Sequence, residues 1–116
     1  MYLGDFTCKE DVLREFSYSY TSVDDDMKEN QDINILLAIY TYEYYDGSAF
    51  VLFERGGRLY EVNGGHCSCY GLEGQWEPEE TSVEALRHRI ENGYFGGTYH
   101  YDYRNDLKEV LDKWEG

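Results

Sequence analysis

The pattern of apolar and polar positions predicts a long β-strand in the middle of the chain, over residues 33–45. This segment, INILLAIYTYEYY, is rich in β-branched and aromatic side chains, and its second half alternates tyrosines with polar residues. Asp46-Gly47 and Gly56-Gly57 have the composition of hairpin turns, and the strand-like segments AFVLFER and RLYEV follow them. The sequence therefore predicts a three-stranded antiparallel meander.

Three amphipathic helices are predicted beside these strands. Apolar residues recur with the spacing of one helical face over about residues 8–17 and again twice in the last third of the chain. The predicted helix caps are Thr7 with Glu10, Thr81 with Glu84, and Asn105. In chain order, the apolar faces consist of Cys8, Val12, Leu13 and Phe16; of Val83, Leu86 and Ile90; and of Leu107, Val110, Leu111 and Trp114.

The order of these elements predicts an α+β fold. A chain of 116 residues has the size of one domain, residues 1–116, and its hydrophobic fraction of 41% is sufficient for one core. Consecutive strands with one helix before them and two after them indicate an antiparallel sheet that is covered on one face. Residues 63–71 continue the meander either as a loop or as a fourth, edge strand, so we expect three or four strands.

The net charge of −14, from 24 acidic and 10 basic residues, restricts the classes of partner. Such a field repels nucleic acid and anionic membranes, and it favours basic protein surfaces, including those that normally hold nucleic acid. Basic residues such as Arg55, Arg58, Arg87 and Arg89 are isolated among acids, which opposes direct binding of nucleic acid. No apolar window approaches the ~20 residues of a membrane span, and the first residues do not resemble an export signal, so a cytosolic location is expected.

The segment NGGHCSCYG, residues 63–71, contains the candidates for a metal site, if there is one: His66, Cys67 and Cys69. Structural zinc sites usually contain Cys pairs with two to four intervening residues, whereas this pair has one. Further ligands would have to come from distant parts of the chain, from Cys8, His88 or His100. No metal or other cofactor is predicted.

An alternative interpretation makes this glycine-rich segment a structural one. The two cysteines are then small buried residues beside a turn, in which Gly64, Gly65 and Gly71 permit positive φ and close packing. The odd number of three cysteines, without an export signal, predicts reduced thiols rather than disulfides.

Catalysis by a thiol or a carboxylate is the other chemistry that these residue types allow. A nucleophilic cysteine requires a base within hydrogen-bond reach, but neighbours on a strand, such as His66 and Cys67, face opposite sides. Glu61 and Glu73 are the candidates for general acid-base catalysis, and the sequence gives neither of them a partner. No catalytic residue is assigned, and a small metal- or thiol-dependent enzyme centred on His66, Cys67 and Cys69 is kept as an alternative function.

Tyrosines exceed what a core of this size requires, with 13 in the chain. Tyrosine combines a large, stiff contact area with a polar tip and is enriched at protein interfaces. Two interpretations are open, namely packing on the sheet, or an exposed surface that binds a partner or a second copy of the chain as a homodimer. The tyrosines concerned are Tyr18, Tyr20, Tyr40, Tyr42, Tyr44, Tyr99, Tyr101 and Tyr103.

The middle of the chain resembles a small family of bacteriophage and prophage proteins. The matching segments are AFVL at 49–52, LYEVNG at 59–64, HCSCYGLE at 66–73 and QWEPEET at 75–81, within about residues 35–93. The family often has Ser where this chain has Gly65. The resemblance implies a phage or another mobile element in a bacterial cytoplasm, and it implies no activity.

This setting changes the interpretation of the acidic charge, because small acidic phage proteins include mimics of DNA. Duplex DNA presents one charge per about 1.7 Å of its axis, and a rigid array of carboxylates can bind the same Lys and Arg side chains. We therefore predict an acidic interaction protein that inhibits a nucleic-acid-binding host defence protein, such as a CRISPR effector or a restriction enzyme, by occupying its basic surface. A phage assembly component is a further alternative. The candidate partner-binding residues are Asp24, Asp25, Asp26, Glu29, Asp32, Glu73, Glu77, Glu79, Glu80, Tyr42 and Tyr44.

Overall fold

A computed structural model describes residues 1–4, 6–16, 28–43, 46–66, 72, 75–92 and 103–115, with the backbone alone at residues 42, 43, 46, 66 and 115. The predicted α+β class is confirmed, since these residues contain three helices and one five-stranded sheet. The elements are, in chain order, β1 (Tyr2–Gly4), α1 (Lys9–Phe16), β2 (Asn34–Glu43), β3 (Asp46–Arg55), β4 (Arg58–His66), β5 (Glu79–Thr81), α2 (Val83–Asn92) and α3 (Arg104–Glu115).

The strands lie in the sheet in the order of the chain, β1-β2-β3-β4-β5. The three central strands form the predicted antiparallel meander. Two edge strands that the sequence did not predict complete the sheet: β1 pairs parallel with β2, and β5 pairs antiparallel with β4. Each has three residues, which is too short to show an alternating pattern. The strand beyond the meander is thus β5, whereas residues 63–66 simply extend β4.

One of the two predicted hairpin turns is confirmed. Gly56 and Gly57 join β3 to β4 with φ of 60° and 82°, the positive values that a two-residue hairpin turn of this kind requires. The turn predicted at Asp46-Gly47 is wrong, because both residues belong to β3 and pair with Glu43 and Tyr42. The register of β2 with β3 places their connection at residues 44–45, which lie outside the described residues.

Both faces of the sheet are covered, which corrects the expectation of one covered face. On one face α1 contributes Val12 and Phe16 to a core that includes Val51 and Phe53. On the other face α2 and α3 pack on Leu37, Ile39, Phe50 and Leu52. Successive residues of β2 and β3 point to opposite faces, and here both sets are buried, so these strands are apolar at consecutive positions rather than at alternate ones.

The helices form where they were predicted, but all three caps differ from the prediction. The carbonyl of Cys8 accepts from the amide of Val12, and Asp11, not Glu10, reaches back to the amide and hydroxyl of Thr7. Ser82, rather than Thr81, caps α2, since its hydroxyl accepts from the amide of Ala85 at 3.1 Å.

Asn105 does not cap the third helix either. It lies inside the first turn of α3, where the carbonyl of Tyr103 accepts from the amide of Leu107 at 2.9 Å. The cap of α2 lies one residue later than predicted because Thr81 belongs to β5 and is paired in the sheet. At α3 the aromatic ring of Tyr103 is fixed in the core beside Phe50, so the helix starts directly after it.

Candidate functional site

Three of the predicted partner-binding carboxylates lie together in one exposed segment, Glu77 to Glu80. We call this segment the acidic edge. Glu79 and Glu80 lie in the edge strand β5, opposite Glu61 and Tyr60 of β4. All three glutamates of the segment are exposed. Within the described residues, neither Glu77 nor Glu79 forms an ion pair, whereas Glu80 lies 3.8 Å from Arg58. Two carboxylates of the acidic edge, those of Glu77 and Glu79, are therefore free to bind cations, whereas Glu80 already contacts one.

Contacts on both sides hold the acidic edge in place. On its N-terminal side, the amide of Gln75 both accepts from the backbone N–H of Gly65 and donates to its carbonyl, each at 2.8 Å. The ring of Trp76 stacks on Phe53 at 5.7 Å and meets Phe16 edge-on at 5.3 Å. On its C-terminal side, β5 pairs with β4 and leads into α2. The carboxylates are thus mounted on a fixed backbone.

Two predicted acids, Asp32 and Glu80, are less free than the sequence suggested. The carboxylate of Asp32 forms an ion pair with Arg55, 3.2 Å from its Nε. Arg55 is paired across the β3-β4 hairpin with Arg58, which contacts Glu80. Asp32 and Glu80 thus flank a pair of cations at one end of the sheet, and each neutralises one of them. Like charges in directly opposed positions repel each other, so both acids contribute to stabilising this hairpin end.

The structure says less about the remaining predicted residues. Glu29 is exposed in a short helical turn before β2, and Tyr42 lies in β2 with only its backbone described. Tyr40 and Tyr103 are buried in the two cores, which supports the packing interpretation for these two tyrosines. The other candidates, Asp24, Asp25, Asp26, Tyr44, Glu73, Cys67 and Cys69, lie outside the described residues.

The glycine-rich segment is described only up to His66, the last residue of β4. Gly64 and Gly65 do not have the positive φ that was predicted. The predicted close packing is present at Gly64, where an added Cβ would lie 3.0 Å from Leu72 and 3.1 Å from Phe16, but not at Gly65, which has open space. Among the residues that the structure describes, no three His, Cys, Asp or Glu side chains are arranged to hold a metal ion, and Cys8 is an exposed free thiol.

Glu61, to which no partner could be assigned from the sequence, has three in the structure. Nη1 of Arg89 lies 2.8 and 2.7 Å from its two carboxylate oxygens, and Nδ2 of Asn63 donates to it at 3.0 Å. Burial by itself raises the pKa of this carboxyl, but the hydrogen bonds from Arg89, Asn63 and Thr81 outweigh burial, and the pKa is lowered from its usual value. Glu61 is therefore an ionised carboxylate.

Glu61 joins two elements of the fold from a buried position. Only 4% of its surface is exposed. Tyr103 is equally buried, and the charges of Glu61 and Arg89 act on its hydroxyl. Burial is also the main reason that the pKa of Tyr103 is raised. The pair joins β4 to α2 under the acidic edge, directly opposite Glu79. Arg89 could not be recognised as the partner of Glu61 from the sequence, because the two residues are 28 positions apart in the chain.

Comparisons with protein-family models, with curated proteins and with solved structures find no match to this chain. In the described part of the chain, no helix combines the length and the apolar character needed to cross a membrane. We take the acidic edge as the candidate functional surface because it is exposed, negatively charged and held on a fixed backbone.

Proposed function

We propose that this chain is an acidic interaction protein of phage or prophage origin that inhibits a nucleic-acid-binding defence protein in the cytoplasm of a bacterial host. It acts by occupying the basic surface of that protein with carboxylates in the places of DNA phosphates. Its partner is thus a protein that normally binds nucleic acid, and the chain itself does not bind nucleic acid.

The observation that carries this proposal is the acidic edge, Glu77 to Glu80, in a molecule whose net charge is −14. Flexible surface carboxylates lose side-chain and backbone freedom when they bind, and this cost reduces affinity. Carboxylates on a paired strand have already lost the backbone part of that freedom. The contacts of Gln75 and Trp76 on one side and of β5 on the other therefore favour a binding role for these glutamates.

The geometry of an edge strand also favours contacts with more than one cation. Successive residues of a strand point to opposite faces of the sheet, so Glu79 and Glu80 point to different sides of the edge. Glu79 lies on the side of Glu61, and Glu80 lies on the side of Tyr60. A groove lined by Lys and Arg on both walls, of the kind that holds nucleic acid, can thus contact the edge from both sides, and on the side of Tyr60 it competes with Arg58 for Glu80.

The test of this proposal is a matched pair of charge reversals. In the variant E77K/E79K we expect the association rate with a basic protein partner to fall by about tenfold or more at low salt, because long-range attraction accelerates encounter. The control is E84K/E91K, which changes the net charge by the same amount at two exposed glutamates of α2. Equal association rates for the two variants, measured by surface plasmon resonance, would contradict a role for the acidic edge.

A further inference from the structure

The end of the β3-β4 hairpin contains two arginines and two aromatic rings in matching positions. Arg55 is paired with Arg58 beside the turn, and Phe53 is paired with Tyr60 two residues further along the strands. Residues two apart in a strand point to the same face of the sheet, so each ring lies next to the arginine of its own strand. The hairpin end thus has two sets of one arginine and one ring, one set on each strand.

The set on β3 is a complete site for a guanidinium group. The guanidinium carbon of Arg55 lies 5.8 Å from the centroid of the Phe53 ring, and its Nε lies 3.2 Å from the carboxylate of Asp32. Nη2 of Arg55 also donates to the side-chain oxygen of Asn30 at 3.2 Å. Arginine suits this arrangement because its planar group can lie on a ring while its N–H groups face a carboxylate.

The set on β4 has a ring and a carboxylate but holds its own arginine less tightly. Glu80 of β5 lies directly opposite Tyr60. Phe53 packs on one face of the Tyr60 ring, with the centroids 5.5 Å apart, and Tyr60 is only partly buried. Arg58 lies 3.8 Å from Glu80, and their side chains are 69% and 57% exposed. In the described part of the chain no guanidinium lies over the ring of Tyr60, so Arg58 makes one of the two contacts that Arg55 makes.

The contact between Arg58 and Glu80 can be exchanged for a contact with another molecule. Exposed ion pairs contribute little to stability, because both side chains are hydrated and lose freedom when they pair. Arg58 is also directly opposed to Arg55, and like charges in opposed positions of a sheet repel each other. An arginine from outside the chain therefore encounters a ring and a carboxylate that are already in place.

We propose that Tyr60 and Glu80 form a subsite for an arginine of the protein partner, whose guanidinium displaces Arg58 and lies on the ring of Tyr60. The inference rests on the proposed function, since it assumes a basic partner, and it specifies arginine rather than lysine at one contact. A lysine ammonium can pair with Glu80, but it lacks the planar surface that covers a ring at the same time. Arg58 is then an intramolecular competitor of the partner.

The test uses two synthetic peptides of equal charge as probes, a lysine-rich peptide with one central arginine and the same peptide with lysine at that position. Their binding to the wild-type chain and to four variants is measured by fluorescence anisotropy. R58Q removes the competitor, and its control R14Q removes an arginine of α1 with the same change in net charge. E80Q removes the carboxylate of the subsite, and its control E84Q removes the charge of an exposed glutamate of α2.

We expect the wild-type chain and both controls to prefer the arginine peptide by about threefold, which is typical of a cation on an exposed ring. R58Q should prefer it by about sixfold or more, because the competing guanidinium is absent. E80Q should lose the preference while it still binds both peptides in a salt-sensitive way.

A preference that is the same in R58Q as in R14Q, or the same in E80Q as in E84Q, overturns the inference. Neither result depends on the displacement of a captured protein by duplex DNA. Failure of the inference is therefore distinguishable from failure of the proposed function.

Discussion

At the scale of single residues, Glu61 is the charged group that lies deepest in the described part of the protein. Its carboxylate is stable there because Arg89 and Asn63 donate to it, and because Arg89 remains partly in contact with solvent. Removing one partner from such a pair leaves an uncompensated charge, which costs more free energy than the pair itself contributes. Arg89 is thus predicted to stabilise the junction of β4 with α2.

R89A is expected to lower the free energy of unfolding by about 2 kcal/mol, because it leaves the carboxylate of Glu61 buried without its cation. The double variant R89A/E61Q should recover about 1 kcal/mol of that loss, since the buried group is then neutral. R14A is the control, since it removes two surface ion pairs, with Glu10 and Asp11, and should cost about 1 kcal/mol or less. Urea denaturation measures all three, and a loss in R89A as small as in R14A would exclude the stabilising role.

The same pair gives a pH dependence with a definite sign. The pKa of Glu61 is lower in the folded protein than its usual value of 4.5, so the folded state binds a proton less readily than the unfolded state. Its contribution to stability is therefore present above pH 4.5 and is lost as the pH falls through the lower, folded pKa. The difference in unfolding free energy between the wild-type chain and E61Q should shrink on acidification, and a difference that grows would contradict this assignment.

At the scale of elements, the hydrophobic pattern was sufficient for the meander and for the three helices, because the strands are runs of β-branched and aromatic residues and each helix repeats its apolar residues with helical spacing. The same pattern could not show β1 and β5, whose three residues acquire strand geometry only by pairing with longer strands. It also failed to locate the caps, since these depend on the positions of the neighbouring strand and core. The glutamates of the acidic edge were therefore predicted individually, but the strand that carries two of them, β5, was not.

The pairing of β1 with β2 depends on a glycine at position 4, which gives a prediction at this scale. Gly4 has a φ of 65°, and an added Cβ would lie 2.1 Å from the carbonyl oxygen of Tyr40. In G4A we expect β1 to separate from β2, because neither backbone can yield without losing its hydrogen bonds. Hydrogen exchange at the amide of Ala38, which donates to the carbonyl of Met1 at 2.9 Å, should then become faster.

The matched control for G4A is G56A. Gly56 has nearly the same φ, 60°, but an added Cβ there has open space, so the substitution carries only the left-handed backbone penalty of about 1–2 kcal/mol. Local protection of the Ala38 amide should be retained in G56A once its global stability is taken into account. Equal loss of protection in both variants would show that general destabilisation, and not the contact with Tyr40, accounts for the effect of G4A.

At the scale of the whole molecule, the net charge of −14 follows directly from the sequence. Which carboxylates are free to bind a partner does not. Asp32 and Glu80 were predicted as binding residues, and the fold places them beside Arg55 and Arg58. Glu77 and Glu79 are left for a partner because no described cation reaches them. Pairings across the sheet decide this distribution, and they join residues that are far apart in the chain.

The most direct test of the proposed function is a competition on the immobilised chain. A basic bacterial protein captured from lysate at low salt is challenged with duplex DNA at constant ionic strength, and separately with increasing salt. We predict that the captured protein binds nucleic acid, that duplex DNA displaces it, and that salt releases it, because DNA and the acidic edge compete for the same Lys and Arg side chains. A captured partner that neither DNA nor salt removes would contradict the proposal.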